Sequence, residues 1–590
     1  MVLGFRSFQN SLYVYSEIST KYISIALMDT YILGTGLSHD GSTVLLKNGK
    51  ILVAIEKERL SRIKHDGGND FDTVKYCLDF AGISANDLTL IVQASNFENH
   101  ILPNQYAGQR YFDKDIQTPV ITLSHHLAHA WSAVGMSPFT SCNVMVVDGA
   151  GSPYSHCLDL EETTVPTYPF SNGMYCEKDS FYFFDGTNLT PLFKDFSEVK
   201  LFQQTSSLKL PTNYHSIGGL YHAASQYCFG NLNDVGKLMG LAPYGTLNGK
   251  PPLFKLDNGT IEVLYENVDR YFTKPSSGYD AFKNDFNHYA DMARWVQDET
   301  EKAIIYLFQE RSKLQPHANF AYAGGVALNA VANYKLRRSG IVKNLYTQPA
   351  AGDNGLAIGC AYYGWHKILG QPKKSVPDHI FFGRQYSDDD ISQAILNAGI
   401  TNNAKFSIKQ TPDFVALTAT ELARGKVVGW FQGGAEFGPR ALGHRSILAD
   451  PRIKDIKNHI NSKIKFREDF RPFAPSVRID DVQKYFVHGW ESPYMILIDE
   501  IKPEWKDQLG GIVHQDGTCR VQTITSAFNP EFYQLIGDFE AETGIGVLLN
   551  TSLNRKGMPV VETPAEALSL FLSSSIDVLV LNNFIIYKQS

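Results

Sequence analysis

Strand, glycine-rich bend and small-residue helix follow one another at residues 319–330 (NFAYAGGVALNA) and again at 345–369, where a PAAGDNG loop separates the β-rich run from the helical one. Only a layered α/β architecture lets such alternating elements bury their apolar faces together, so this pattern sets the fold class. Nearer the start, 31–36 is an apolar β-rich run leading to the turn Asp40-Gly41-Ser42; 43–47 is a second, and Asn48-Gly49 turns into 51–55. Two successive hairpins are expected there. At 143–151 (NVMVVDGAG) an apolar strand again enters an acidic, glycine-rich turn. It is a faint echo of the first unit rather than a sequence repeat.

Around 370–390 the pattern lapses into GQPKKSVPDHIFFGRQYSDDD, with two prolines, a lysine pair and an acidic run, and we expect the domain boundary there, with 371–390 as linker. Beyond it a helix over 413–424, a strand over 426–431 and a late β-rich run over 576–587 define a second unit of about 200 residues, a normal domain size. Residues 1–28 lack the compact apolar core and small-residue cleavage site of a secretory signal. Residues 1–27 therefore read as an extension upstream of a natural start at Met28.

The 590 residues hold 54 Lys plus Arg against 61 Asp plus Glu, a net charge of -7, with 43% hydrophobic residues. Such a balance excludes a disordered or nucleic-acid-coating chain. Seven cysteines without a C-x-x-C pair fit reduced thiols, and no run reaches the ~18 apolar residues of a membrane span. A cytoplasmic protein with no membrane and no nucleic-acid partner is expected.

The sharpest chemical signal is Ser124-His125-His126-Leu127-Ala128-His129, because residues four apart on a helix share a face and point His125 and His129 the same way. Two such imidazoles bind one metal ion, or are simply hydrogen-bonded or exposed histidines. Asp148 ends the strand 144–147 and Asp353 sits in the loop before a helix; each is a turn former or a further ligand. Two imidazoles with two carboxylates suit iron, zinc or manganese better than calcium. Gly324 and Gly325 allow either close ligand approach at a helix start or tight strand–helix packing. Lys237, among small and apolar residues, either faces solvent or meets an anion. From Gly438 to Arg471 there are nine Lys and Arg against four Asp and Glu, a surplus that marks an anion site or a solvated face. Arginine forks there suit phosphate or carboxylate.

Taken in order, GLSHDGSTVLL at 36–46, EKERLSRIKHDGG at 56–68, HHLAHA at 125–130, GKLMGLAPYG at 236–245, GGVALN at 324–329, AAGDNG at 350–355, EFGPRALGHRSILADPR at 436–452, KFREDFRPFAPS at 465–476, RVQT at 520–523 and NTSLNRKGMPVVETPAEAL at 550–568 resemble the O-carbamoyltransferase family of nodulation and antibiotic biosynthesis. The resemblance runs from Met28 to the C-terminus. It implies an actin- and sugar-kinase-like (ASKHA) domain over 28–370, which transfers a carbamoyl group, and a YrdC-like α/β domain over 391–590, which makes carbamoyl adenylate from carbamoyl phosphate and ATP. The acceptor implied is a hydroxyl of a small natural product or sugar, in secondary metabolism. Also implied are one divalent transition metal, Fe(II), held by His125, His129, Asp148 and Asp353, with Mg²⁺ accompanying ATP. His39 would be the general base; Lys64, Lys237, Gly324, Gly325 and Asn329 would line the nucleotide or carbamoyl-adenylate site. Arg440, His444, Lys465, Arg471, Arg520 and Asn550 would bind carbamoyl phosphate and ATP. Leu553 departs from the Phe common in the family's NTSFN run. Homodimerisation is left open, and the rival readings are a threonylcarbamoyl-type tRNA-modifying transferase and a non-catalytic nucleotide-binding scaffold.

Overall fold

Strands β1 (Tyr31–Gly36), β2 (Ser42–Lys47) and β3 (Lys50–Glu56) form the two hairpins expected from their turns. In the second loop Asn48 and Gly49 both take positive φ, 52° and 80°, the backbone that a two-residue hairpin demands and that Asn-Gly supplies at least cost. The computed structural model describes residues 29–94, 109–112, 116–172, 174–198, 215–278, 281–377 and 379–589; the expected start at Met28 and the extension before it lie outside them. Helix α1 (Lys57–Ser61) closes the meander. β4 (Leu90–Ala94) and β5 (Val120–Leu123) then add in parallel beside β1, giving the order β3-β2-β1-β4-β5, and α2 (His125–Met136) follows β5.

The next stretch repeats this plan. β6 (Cys142–Val147), β7 (Tyr175–Phe184) and β8 (Leu189–Glu198) form an antiparallel meander, followed by α3 (Ile217–Phe229). β9 (Asn319–Ala323), α4 (Ala330–Arg338), β10 (Asn344–Thr347) and α5 (Leu356–Tyr363) complete it, with β9 and β10 parallel to β6. The sheet order is β10-β9-β6-β7-β8, the first sheet's order with each strand advanced by five. The echo at 143–151 is thus one trace of a duplicated topology, and the N-terminal half has the ASKHA-like form that the resemblance implied. Every residue of α2 and α5 is buried, and the two pack against each other between the sheets. Gly359 makes that approach feasible, since a Cβ there would lie 1.8 Å from the Ala128 carbonyl oxygen.

The C-terminal half is an eight-stranded mixed sheet whose edges are Phe406–Gln410, beside the last strand Phe584–Lys588, and Gln522–Ile524. Trp430 packs into one core layer with Leu535 and Phe539, while the adjacent Phe431 packs into another with Ile391 and Phe571, the period-two alternation of a sheet covered on both faces. Residues 371–377 and 379–387 form no helix or strand, yet Ile380, Phe381 and Phe382 are buried. Their backbone bonds both halves, Ala54 N–H donating to the Phe382 carbonyl (3.0 Å) and Phe437 N–H to that of Ile380 (2.9 Å). Arg62 reaches across to the carbonyls of Pro559 (2.9 Å) and Val560 (2.8 Å). The seam is therefore packed and cross-bonded.

Candidate active site

Equivalent corners of the two repeats meet at one point. His125 and His129 stand on the first turns of α2, after the last strand of the first sheet; Asp353 stands before α5, after the last strand of the second; Asp148 follows β6, the counterpart of β1. The two imidazole Nε2 atoms are 3.1 Å apart. Asp148 Oδ2 lies 2.9 Å from His125 Nε2 and 3.4 Å from His129 Nε2, and Asp353 Oδ1 lies 3.4 and 3.8 Å from the same pair. All four ligand atoms fall within 4.8 Å of one another. Each carboxylate is aimed by its other oxygen: Ser38 hydroxyl donates to Asp353 Oδ2 (2.6 Å) and Gly325 N–H to Asp148 Oδ1 (3.1 Å). Burial favours the neutral forms of these groups, yet mutual attraction wins; His125 is pushed up to about 10, and Asp148 and Asp353 are held well below the usual carboxylate range. Such a cluster demands positive charge, and the nitrogen and oxygen donors fit a transition-metal ion held by unprotonated imidazoles. His125→Ala with His129→Ala is expected to abolish about one bound transition-metal ion per chain, read by elemental analysis of purified protein. Stoichiometric metal in that variant would place the ion elsewhere.

His39 lies in the loop after β1, directly beyond Ser38. Its Nδ1 is 3.0 Å from Asp40 Oδ2, and the other oxygen of Asp40 is 2.9 Å from Nδ1 of His65. His65 reaches this position from the loop after α1 because its backbone is left-handed, φ 58°, a conformation that few non-glycine residues adopt. Burial alone would lower the His39 pKa, but the hydrogen bond and charge of Asp40, with Asp353 behind it, push it up to about 9. Burial likewise opposes ionisation of Asp40, and the two histidines outweigh it, holding the carboxyl low. The His39 side chain is 40% exposed, so the ring edge not held by Asp40 is accessible.

A cavity of about 610 Å³ joins this region to the C-terminal half. Its walls include Asp148, Gly325, His65 and His222 from the first half and Arg440, Lys465, Arg467, Arg471 and Arg520 from the second. Ten Lys and Arg line it against three Asp and Glu, so an anion of several charges is needed for balance. Burial and mutual repulsion depress the pKa of Arg440 to about 10 and lower those of Lys465, Arg467 and Arg520, while burial lowers that of Arg471 against the pull of Glu468 and Asp234. Among the described residues the buried Nε atoms of Arg440 and Arg520 have no hydrogen-bond partner.

The carbamoyltransferase N-terminus family model matches residues 31–98 and 86–362, and the carbamoyltransferase C-terminus model matches 419–588. The chain belongs to the carbamoyltransferase family. This carbamoyltransferase is 30% identical to nodulation protein NolNO of Sinorhizobium fredii, over 94% of this chain and 79% of that one. It is 26% identical to the 3'-hydroxymethylcephem-O-carbamoyltransferase of Streptomyces clavuligerus, over 88% and 92% of the two chains. Among solved structures, full-length HypF in its phosphate- and nucleotide-bound form covers 58% of this chain and 56% of its own, at 12% identity and a TM-score of 0.36, too little to bear on fold or activity.

Not every residue expected at the carbamoyltransferase site reaches the cavity. Gly324 does not line it; φ 90° and a would-be Cβ 2.2 Å from the Val147 carbonyl oxygen make it a packing glycine, and Gly325 alone faces inward. His444 stacks on Phe381 with ring centroids 3.6 Å apart and bonds the Gly434 carbonyl; burial lowers it to about 4, so it is a neutral packing residue at the seam. Asn550 is buried in the sheet, its amide donating to Ser476 Oγ (3.1 Å) and Gln522 Oε1 (2.9 Å), while Thr551 and Ser552 beside it line the cavity. Asn329 lines the cavity, but its side chain caps α4 through Ala332 N–H and bonds Gln297. Lys237 is paired with Asp234 (2.5 Å) and stands 3.5 Å from Glu468; Lys64 is exposed, 3.8 Å from Glu58. Lys465 is buried and bonds Ser552 and Asn554. Ser38, Asp40, His65 and Arg467 are site residues that the sequence reading passed over, although three of them flank residues it named.

Proposed function

We propose that the enzyme forms carbamoyl adenylate from carbamoyl phosphate and ATP in the unit spanning 391–590 and transfers the carbamoyl group to a hydroxyl of a small natural-product or sugar acceptor in the unit spanning 28–370, with 371–390 as the seam. The observation that supports this reading is a cavity bordered by a guanidinium cluster at the C-terminal half and, at the N-terminal half, by Asp148 of the tetrad and His65 of the His39–Asp40–His65 group, behind which the other members of the two clusters stand. Arg440, Arg467, Arg471 and Arg520 would hold the phosphates of ATP and carbamoyl phosphate, with Mg²⁺ accompanying ATP, since forked donors match phosphate oxygens. Water first cleaves carbamoyl phosphate to carbamate and inorganic phosphate; the carbamate oxygen then attacks the α-phosphorus of ATP, and pyrophosphate leaves. Lys465, buried and depressed by its cationic neighbours, balances charge on the attacked phosphate. The adenylate stays in the shared cavity, away from bulk water.

At the other end the acceptor oxygen bonds to the carbamoyl carbon, the bond from that carbon to the phosphate oxygen breaks, and AMP departs. His39 takes the hydroxyl proton on Nε2 while Asp40 fixes Nδ1–H and stabilises the imidazolium. His125, His129, Asp148 and Asp353 would hold the ion, for which we propose Fe(II). It would supply Lewis-acid neutralisation of nucleotide phosphate. The test is pyrophosphate exchange into ATP: it is expected only when carbamoyl phosphate is present. Exchange without carbamoyl phosphate, or none with it, would sink the proposed first step.

A further inference from the structure

Helix α3 brings one more imidazole to the cavity, and the scheme above gives it no task. Gly218, in the first turn of α3, packs on the loop after β6, where a Cβ would meet the Gly149 amide nitrogen at 2.7 Å. Four residues along the same helix face is His222, so the face that leans on the Asp148 loop also turns this ring to the cavity. His222 is half-buried, and among the described residues its ring makes no hydrogen bond. It lies within electrostatic reach of His39, Asp148 and Asp353. Burial, reinforced by His39, lowers its pKa, so at neutral pH it presents one N–H donor and one lone pair. A half-buried cavity-lining ring with neither edge bonded to the protein has its donor and acceptor open to a ligand.

The anionic reactants are poor candidates for that ligand, because a neutral ring near two carboxylates is a weak phosphate site and seven of the ten cationic side chains that line the cavity belong to the other half. The remaining reactant is the acceptor. A hydroxyl matches a neutral imidazole, being donor and acceptor at once. Asn231 and Asn233 line the same cavity. Resting on the carbamoyl-transfer reading, we propose that His222 binds a second hydroxyl of the acceptor, next to the one delivered to His39, so that the enzyme selects vicinal polyols of sugar type over isolated alcohols.

Carbamate-ester formation from trans-cyclohexane-1,2-diol and from cyclohexanol, each with ATP and carbamoyl phosphate, tests this. The native enzyme is expected to prefer the diol. His222→Phe should raise the KM for the diol by about 5- to 150-fold, the range for a buried polar group left unpaired, while the mono-ol loses far less. His222→Asn, which keeps a donor and an acceptor, should recover part of the loss. Equal use of both alcohols by native enzyme, turnover of neither, or a proportionate loss of both in His222→Phe would overturn the proposal. Carbamoyl-phosphate-dependent pyrophosphate exchange, measured on each variant, reports that the protein is folded. Its absence in the native enzyme would instead defeat the reading on which the proposal rests.

Discussion

Asparagine in place of His39 is expected to slow carbamoyl transfer by ~100- to 10,000-fold while carbamoyl-phosphate-dependent pyrophosphate exchange keeps its rate. A general base acts only once the activated carbamoyl group exists, so its removal cannot touch the ATP half-reaction. The pH profile carries the finer test. Because Asp40 pushes His39 up to about 9, the neutral, proton-accepting form grows as pH rises, and transfer should climb along an acidic limb centred near pH 9. In Asp40→Asn that limb should move down toward the ordinary imidazole value of about 6.5, and in His39→Asn it should vanish. A limb that stays in place when Asp40 is neutralised would assign the titration to another group. Near-native transfer by His39→Asn would remove His39 from the base role.

Alanine at Arg440 or at Arg520 should weaken formation of carbamoyl adenylate by ~10- to 150-fold each, the worth of one charge-assisted contact to phosphate. Both side chains line the cavity, and among the described residues the Nε of each has no hydrogen-bond partner, so neither guanidinium is fully committed to the fold. Removing one cation also relieves its neighbours, since burial and repulsion from Arg440 and Arg471 are what depress Arg520. Protein stability should therefore hold or rise. Transfer from supplied carbamoyl adenylate is expected to survive both changes. Equal loss in the two half-reactions would mean that the sites are not separable in this way.

Much of this arrangement was legible in the residues. Asn48-Gly49 announced its hairpin because few sequences tolerate two successive positive φ angles, and the i, i+4 spacing of His125 and His129 placed both rings on one helix face. Contacts made across long stretches of chain were not legible. Asp40 meets His65 only because one residue takes a left-handed backbone 25 positions away, and nothing in local composition signals that. Asn550 shows the converse: a motif names a polar residue without saying which side of its strand it occupies, and here it faces the sheet interior. Topological duplication left almost no sequence trace, because strand order depends on connection lengths and apolar faces rather than on particular side chains.

That duplication has a mechanical consequence. Each repeat contributes two members of the tetrad, nitrogen donors from the first and oxygen donors from the second. An ion bound among them braces one repeat against the other, and any rocking of the repeats has to draw nitrogens away from oxygens. Ion affinity and the angle between the repeats are then two readings of one equilibrium: whatever favours the approach of the repeats tightens the ion, and the ion in return narrows the range of angles by the same free energy.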